Sequence, residues 1–159
     1  MFRKMRRFKQ ELPEERVREV LRDGMRANVA VLGDDGYPYT YPTNYYYDEE
    51  QHVIYFHGAK EGHKIDAIRH CDKATFNVYL ETELDAKGKA WYVDSVIAFG
   101  RMKFVEDEDE KLKALQGLGY KYPVYTKEEA DEAIRKGGGR AQCLRFEIEH
   151  ATCKHVHEE

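Results

Sequence analysis

The segment Tyr37–Asp66 constrains the fold of this chain more than any other stretch. It holds two apolar runs separated by the polar residues Asp48–Gln51, a pattern typical of a β-hairpin with a four-residue loop. The second run leaves through His57-Gly58-Ala59 into a helical pattern that has Lys64 near its start. Because helix N-termini and lysine side chains both attract anions, this junction is either a phosphate cradle or an ordinary strand–turn–helix connection.

Further strands are predicted on both sides of this hairpin. The turn Asp34-Asp35-Gly36 carries the Asp-Gly hairpin signature and joins a short apolar strand to the Tyr37–Tyr47 strand. Pro42 has no backbone N–H, so the second of these strands should be bent or at a sheet edge near Pro42-Thr43-Asn44. Besides the Tyr37–Tyr47 strand, apolar or alternating patterns place strands at 28–33, 52–56, 73–80, 91–105 and 142–150.

Four helices are predicted in addition to these strands. The fourth begins at Thr126, which with Glu129 has the spacing of a capping box. The third carries Leu112, Leu115 and Leu118, which we expect on one apolar stripe. The four segments are residues 13–24, 62–70, 107–118 and 126–137, and the polar segment 81–90 is predicted to be a mobile loop.

About six strands joined mostly by short links favour an antiparallel arrangement. A doubly wound parallel sheet needs a helix after nearly every strand, and only two of the predicted connections between strands contain helices. We therefore expect an α+β fold, mainly β, in which a small antiparallel barrel is surrounded by peripheral helices. The 159 residues suit one domain, with a basic N-terminal arm at 1–11 and a C-terminal tail at 151–159.

Composition excludes several classes of partner. The net charge is −4 with acids and bases interspersed, which argues against nucleic-acid binding. No apolar run approaches the roughly 20 residues of a membrane span, and the basic N-terminal residues lack the apolar core of a secretory signal. The cysteines Cys71, Cys143 and Cys153 are scattered, which is typical of free thiols in a reducing cytoplasm.

Side-chain catalysis has little support in this sequence. It contains neither the GxSxG nor the HExxH pattern. His57 leaves an apolar strand, and it is either a hydrogen-bonded structural residue or a contact to a cofactor. Cys153, His155 and His157 alternate near the C-terminus, but such a set is more often incidental, so we assign no metal. The aromatic-rich sheet, the bent Pro-Thr-Asn segment and Lys64 together predict an aromatic ligand that carries a phosphate.

An ordered set of short motifs runs along most of the chain, over roughly 17–148. It comprises Gly36-Tyr37-Pro38-Tyr39, Pro42-Thr43-Asn44-Tyr45, Ile54–Ala59 with Gly62-x-Lys64, Tyr92 with Ser95, Val96-Ile97-x-Phe99-Gly100, and Glu110-Lys111 with Leu115. In this order the motifs resemble the pyridoxamine-phosphate-oxidase-like flavin-binding split barrels. The likeness is greatest to their nitroimidazole-resistance (Nim-type) branch.

The resemblance implies an FMN-binding split barrel that forms a homodimer with two flavin sites at the subunit interface. FAD and haem are alternative cofactors within this family. Lys64 matches the phosphate ligand, and His57 matches the histidine implicated at the active site, although His63 stands where relatives often carry arginine. The positions that match cofactor contacts are Pro42, Thr43, Asn44, His57, Gly58, Ala59, Lys64, Ser95 and Val96.

The same resemblance implies an FMN-dependent oxidoreductase. Such an enzyme takes electrons from a reduced nicotinamide donor and passes them to a small acceptor such as a nitroaromatic. The alternative is a non-catalytic flavin- or haem-binding protein that serves storage or sensing, because no general acid with a tuned environment is evident in the sequence.

Overall fold

The computed structural model describes residues 1–157, in which the chain forms eight β-strands and four α-helices. The strands are β1 (Glu11–Leu12), β2 (Ala27–Leu32), β3 (Pro38–Thr43), β4 (Tyr46–Asp48), β5 (Val53–Gly58), β6 (Lys73–Leu84), β7 (Trp91–Phe104) and β8 (Gln142–His157). The helices are α1 (Glu14–Asp23), α2 (His63–His70), α3 (Glu108–Lys121) and α4 (Lys127–Gly137). None of the helices in this part of the chain has the length and apolar character that a bilayer crossing demands.

All strand pairs are antiparallel, and the sheet runs in the order β3-β2-β6-β7-β8-β5-β4, with β1 added to β8. The two terminal strands of this order, β3 and β4, are consecutive in the chain and are joined only by Asn44 and Tyr45. Three Cα–Cα steps reach at most about 11 Å, so the sheet must curl until its two edges meet. The expected α+β fold with an antiparallel split barrel is confirmed, and β3 lies at an edge as Pro42 predicted.

The main core fills the inside of the curled sheet. Ala74, Phe76 and Val78 of β6 are buried, as the alternation in that segment predicts. The ring of Phe76 lies at the centre of an aromatic cluster with Tyr45, Phe56 and Phe146, at centroid distances of 4.9, 6.1 and 6.3 Å. Tyr45 belongs to the β3–β4 crossing, so this cluster fixes the crossing to the middle of the core.

Gly100 marks an irregularity in β7, as its position inside the strand predicts. The pairing of β7 with β8 shifts register between Phe99 and Gly100. A Cβ atom at position 100 would overlap the carbonyl oxygen of Glu147, so only glycine permits this approach of the two backbones.

Two strands extend beyond their predicted ends, and the expected number of about six strands is too low. β6 continues through Leu84 and pairs with the start of β7, so the mobile loop predicted at 81–90 is shorter than expected. β8 continues through His157, so residues 151–157 form a strand rather than a tail. Both extensions are rich in polar residues, and cross-strand pairing with β7 rather than local hydrophobicity forms them.

The basic N-terminal arm folds back onto its own sheet, although most of its residues remain exposed. The ring of Phe2 stacks on Phe99 and His150, at centroid distances of 5.6 and 4.8 Å. Glu11 and Leu12 then pair with Lys154 and Cys153 of β8.

The predicted leucine stripe of α3 is also partly wrong. Leu115 and Leu118 are buried, but Leu112 is 45% exposed. Each three-residue step falls about 60° short of a full helical turn, so Leu112 and Leu118 lie about 120° apart around the axis. The capping box of Thr126 and Glu129 at the start of α4 is confirmed.

Candidate functional site

The crossing between β3 and β4 presents Asn44 at the surface. Its neighbour Tyr45 is fully buried, and the Tyr45 backbone N–H donates a hydrogen bond to the Tyr122 hydroxyl at 2.9 Å. The same hydroxyl lies 2.8 Å from the carbonyl oxygen of Met25, to which it donates. Tyr122 therefore satisfies a backbone group that has no strand partner at the split, and so holds the crossing in place.

His57 reaches the surface close to this crossing because β5 alternates between two buried faces. Ile54 and Phe56 belong to the main core, whereas Tyr55 belongs to a second cluster beneath α3. His57 lies on the Tyr55 side, and its ring is exposed. Within residues 1–157 the imidazole has no hydrogen-bond partner, so a hydrogen-bonded structural histidine does not describe this residue.

The surroundings of His57 favour its neutral form. Desolvation by the neighbouring protein lowers the pKa of His57 below its ordinary 6.5, and the positive charge of Lys64 lowers it further. The neutral form of the ring therefore predominates at neutral pH, with one nitrogen able to donate a hydrogen bond and the other able to accept one.

A cleft of about 430 Å³ brings four of the predicted cofactor-contacting residues together. It is lined by Pro42, Thr43, Asn44 and His57, and also by Arg26, which sequence reasoning missed. A signal for Arg26 existed in the hairpin register. Ala27 pairs with Thr43, so continuing the pairing one residue outward from the Asp-Gly turn places Arg26 beside Asn44.

Lys64 supplies a positive charge that has no counter-ion. Its side chain is half-buried in the first turn of α2, and Nζ lies 5.2 Å from the centroid of the Tyr41 ring. Within residues 1–157 no carboxylate pairs with this ammonium group, and burial lowers the pKa of Lys64 below 10.5. A half-buried unpaired cation is costly unless an anion compensates it, so Lys64 is suited to bind one.

Gly58 and Tyr41 complete a cradle around the Lys64 ammonium group. A Cβ atom on Gly58 would lie 2.6 Å from Nζ, so the glycine leaves room for the charge beside the end of β5. The Tyr41 hydroxyl is buried without a hydrogen-bond partner in the described chain, and burial raises its pKa to about 12. The ammonium group beside the Tyr41 ring, without a counter-ion in the described chain, fits a phosphate group.

We predict that Gly58→Ala separates phosphate binding from stability. The added methyl group meets the flexible end of Lys64 rather than backbone, so the ammonium group moves and the fold is retained. Binding of a phosphate-bearing ligand, with FMN as the probe, should weaken, whereas the urea midpoint should stay close to that of the wild type. Calorimetric titration and urea unfolding measure the two effects, and a large loss of stability with unchanged affinity for the probe would contradict the cradle.

The remaining predicted residues lie apart from the cleft of about 430 Å³. Ala59 is exposed and follows β5 directly. Ser95 is half-buried on the outer face of β7, and the Val96 side chain is fully buried in the core, where it offers no surface to a ligand. His63 packs on the ring of Tyr39 at 4.3 Å and not in the cradle of Lys64.

The C-terminal set of candidate metal ligands is engaged elsewhere. Cys153 is fully buried, and burial raises the pKa of its thiol to about 11. The Nδ1 atom of His155 lies 2.6 Å from the Asp94 carboxylate, which also accepts from Arg16 at 2.7 Å. The side chain of His157 lies outside the described part of the structure.

A second cleft of about 450 Å³ opens between α3 and α4 and shares Asn44 and His57 with the first. Its walls are otherwise apolar, and they include Leu115 and Leu118 of α3 and Ile134 of α4. Local sequence patterns contain no signal for this cleft, since it depends on how α3 and α4 pack against each other. The polar atoms of Asn44 and His57 therefore stand between two ligand-sized spaces.

Comparison with known proteins identifies the family and the fold. The family model of pyridoxamine 5'-phosphate oxidase matches residues 13–155, whereas no curated protein matches the chain. A crystal structure of a candidate 5-nitroimidazole antibiotic resistance protein from Bacteroides thetaiotaomicron superposes with a TM-score of 0.73 at 19% identity, covering 94% of this chain and 90% of that one.

Two further solved structures share the fold. A FAD-binding protein from Mesorhizobium loti has a TM-score of 0.66 at 19% identity, covering 92% of this chain and 96% of that one. A FAD and haem binding protein from Mycobacterium smegmatis has a TM-score of 0.71 at 17% identity, covering 92% and 73%. At such low identities these structures establish a common fold and not a common activity.

Proposed function

The chain belongs to the pyridoxamine 5'-phosphate oxidase family, and from this premise we propose that it is an FMN-dependent oxidoreductase. The observation that carries the proposal is the unpaired ammonium group of Lys64, half-buried between Gly58 and the Tyr41 ring. FAD- and haem-binding neighbours with the same fold support a flavin or a related aromatic cofactor.

The residues of the site divide between the two parts of such a cofactor. Lys64 would hold the phosphate beside the Tyr41 ring, and Thr43, Asn44 and His57 would border the ring system. Bound there, FMN would supply two-electron redox chemistry that no side chain of this site provides. Neutral His57 can donate one hydrogen bond and accept another without bringing a second positive charge close to Lys64.

We further propose a reduced nicotinamide as the electron donor and a small nitroaromatic as the acceptor. The fold shared with the 5-nitroimidazole resistance protein favours this acceptor class. The test is anaerobic mixing of the FMN-loaded protein with NADH or NADPH, followed by addition of a nitroimidazole. Bleaching and then recovery of the flavin absorbance is expected, whereas a bound flavin that neither donor reduces would favour the non-catalytic storage or sensing role.

We also propose that the protein is a homodimer with the flavin sites at the subunit interface. The outer face of β6 and β7 exposes the large apolar side chains Tyr79, Ile97 and Phe99. Ser95 lies in the same row and pairs with Tyr79, so in a dimer it would face the partner. Clustered apolar side chains on an outer sheet face are typical of an interface.

Charge placed in this face should separate the subunits. Ile97→Asp is expected to lower the mass measured by light scattering from two chains to one, and to weaken FMN binding in parallel. Leu112→Asp, which alters an exposed leucine on α3, serves as the control and should leave both quantities unchanged. A wild-type monomer that binds FMN tightly would show that the interface sites do not exist.

The pH dependence of FMN binding follows from the lowered pKa of Lys64. A bound phosphate favours the ammonium form and raises this pKa again, so binding takes up a proton at alkaline pH. FMN affinity should therefore fall as pH rises through the pKa of Lys64 in the free protein, which lies below 10.5. Calorimetry in two buffers of different ionisation enthalpy should detect this proton uptake in the wild type and not in Lys64→Met.

A further inference from the structure

The cleft between α3 and α4 has the properties of a small-molecule site next to the proposed flavin site. Its volume of about 450 Å³ falls within the roughly 300–1,000 Å³ that is typical of ligand pockets. Val124 and Tyr125 line it and are 73% and 60% exposed, so the cleft is open to solvent. It is therefore accessible to a ligand and is not a gap in the core.

Small residues on the two helices leave this space. A Cβ atom on Gly119 of α3 would lie 3.1 Å from the Cβ atom of Ala130 on α4, so the helices approach closely at that point. Ala133 and Gly137 continue the α4 wall with little side-chain volume. Polar contacts hold α3 in position against the sheet, since Lys113 pairs with the buried Asp48 at 2.6 Å.

The residues that line the α3–α4 cleft disfavour a charged ligand. Among the described residues that border this cleft there is no aspartate, glutamate, lysine or arginine, and the polar side chains that face it besides tyrosine are Asn44 and His57. Neither Asn44 nor His57 has a side-chain hydrogen bond within residues 1–157. Because no residue of this wall carries a fixed charge, a charged ligand would lose hydration there without gaining a counter-ion from the wall.

We propose that the α3–α4 cleft binds an uncharged, planar aromatic molecule of one or two rings. Its apolar body packs against Leu115, Leu118 and the tyrosine rings of the wall, and a polar substituent on its edge hydrogen-bonds to Asn44 or His57. Because Asn44 and His57 also border the first cleft, such a molecule lies beside the ring of the proposed cofactor. The inference rests on the proposed function and specifies the acceptor class of that site.

The test measures binding and does not require turnover. Calorimetric titration with 2-naphthol, which is neutral at pH 7, is compared with 2-naphthoate, a carboxylate of similar shape. We expect 2-naphthol to bind the wild type roughly tenfold or more tightly than 2-naphthoate, since the carboxylate must be desolvated in an apolar wall. Equal affinities, or no binding of 2-naphthol, would overturn the proposal.

Two matched variants on α4 test whether 2-naphthol binds in the α3–α4 cleft. Ala133→Phe fills the cleft and should weaken 2-naphthol binding roughly tenfold or more, whereas Arg135→Phe adds the same ring outside the cleft and should not. Equal 2-naphthol affinities in the two variants would overturn the proposal. So would a lower oligomeric mass of Ala133→Phe in light scattering, because a second copy of the chain would then be covering the cleft.

FMN titration of the same proteins keeps the two proposals distinguishable. Both variants should bind FMN like the wild type, because neither side chain borders Lys64 or the first cleft. If FMN does not bind but 2-naphthol shows the expected pattern, the proposed function is overturned and the proposal for the α3–α4 cleft stands. If FMN binds normally but 2-naphthol does not show that pattern, the proposal for the cleft is overturned and the proposed function stands.

Discussion

Replacing Lys64 with alanine is expected to weaken FMN binding roughly 10- to 150-fold and to leave riboflavin binding unchanged. The substitution removes one charge-assisted contact to phosphate, which is worth about 1.5–3 kcal/mol. At 1.4 kcal/mol for each tenfold change in affinity, this energy gives the stated range. Riboflavin lacks the phosphate, so its affinity reports only on the contacts to the ring system. Titration of both ligands by flavin fluorescence quenching measures the difference.

The variant should not lose stability, because Lys64 has no ion-pair partner within the described chain. Its half-buried charge is a cost to the ligand-free fold, and removing it relieves that cost. Lys73→Ala, at an exposed lysine at the start of β6, is the matched control and should bind both ligands like the wild type. Equal losses of FMN and riboflavin affinity in Lys64→Ala would contradict the phosphate role.

Phe76→Ala is expected to produce the largest loss of stability, about 3–5 kcal/mol. The ring is fully buried and contacts Tyr45, Phe56 and Phe146, so its removal leaves a cavity at the centre of the barrel. In a chain of this size the loss corresponds to a fall in Tm of roughly 6–20 °C. Urea unfolding at constant m value gives the free energy directly.

The matched control is Phe8→Ala, which removes the same side chain from an exposed position. Phe8 is 69% exposed, so its loss should change the free energy of unfolding by no more than about 0.5 kcal/mol. Similar effects of the two substitutions would mean that the core is not centred on Phe76. In Phe76→Ala, Tyr45 loses its T-shaped contact with the ring. Tyr45 neighbours Asn44 in the β3–β4 crossing, so FMN should also bind more weakly to this variant.

Local sequence patterns predicted those features of the fold that depend on local backbone geometry. Alternation in β6 predicted which side chains enter the core, and Gly100 predicted the register shift of β7. The capping box predicted the start of α4, and Pro42 predicted an edge strand. Each of these features depends on backbone geometry or on a repeat of two residues, which the sequence displays directly.

Features that depend on long-range pairing were missed or only partly predicted. The last third of β6 and the second half of β8 are polar, and they are strands because β7 lies between them. The residues of the first cleft were found one by one, but Arg26 required the hairpin register. The apolar cleft required the packing of α3 against α4, which local patterns do not contain.

Flavin uptake tests whether the protein holds a phosphate-bearing cofactor at Lys64. The purified protein is incubated with excess FMN, passed through a desalting column and scanned from the ultraviolet to the visible range. The expected result is a flavin spectrum that stays with the protein in the wild type and is strongly diminished in Lys64→Ala. A haem Soret band in the freshly purified wild type, or a wild-type protein that emerges without flavin, would contradict it.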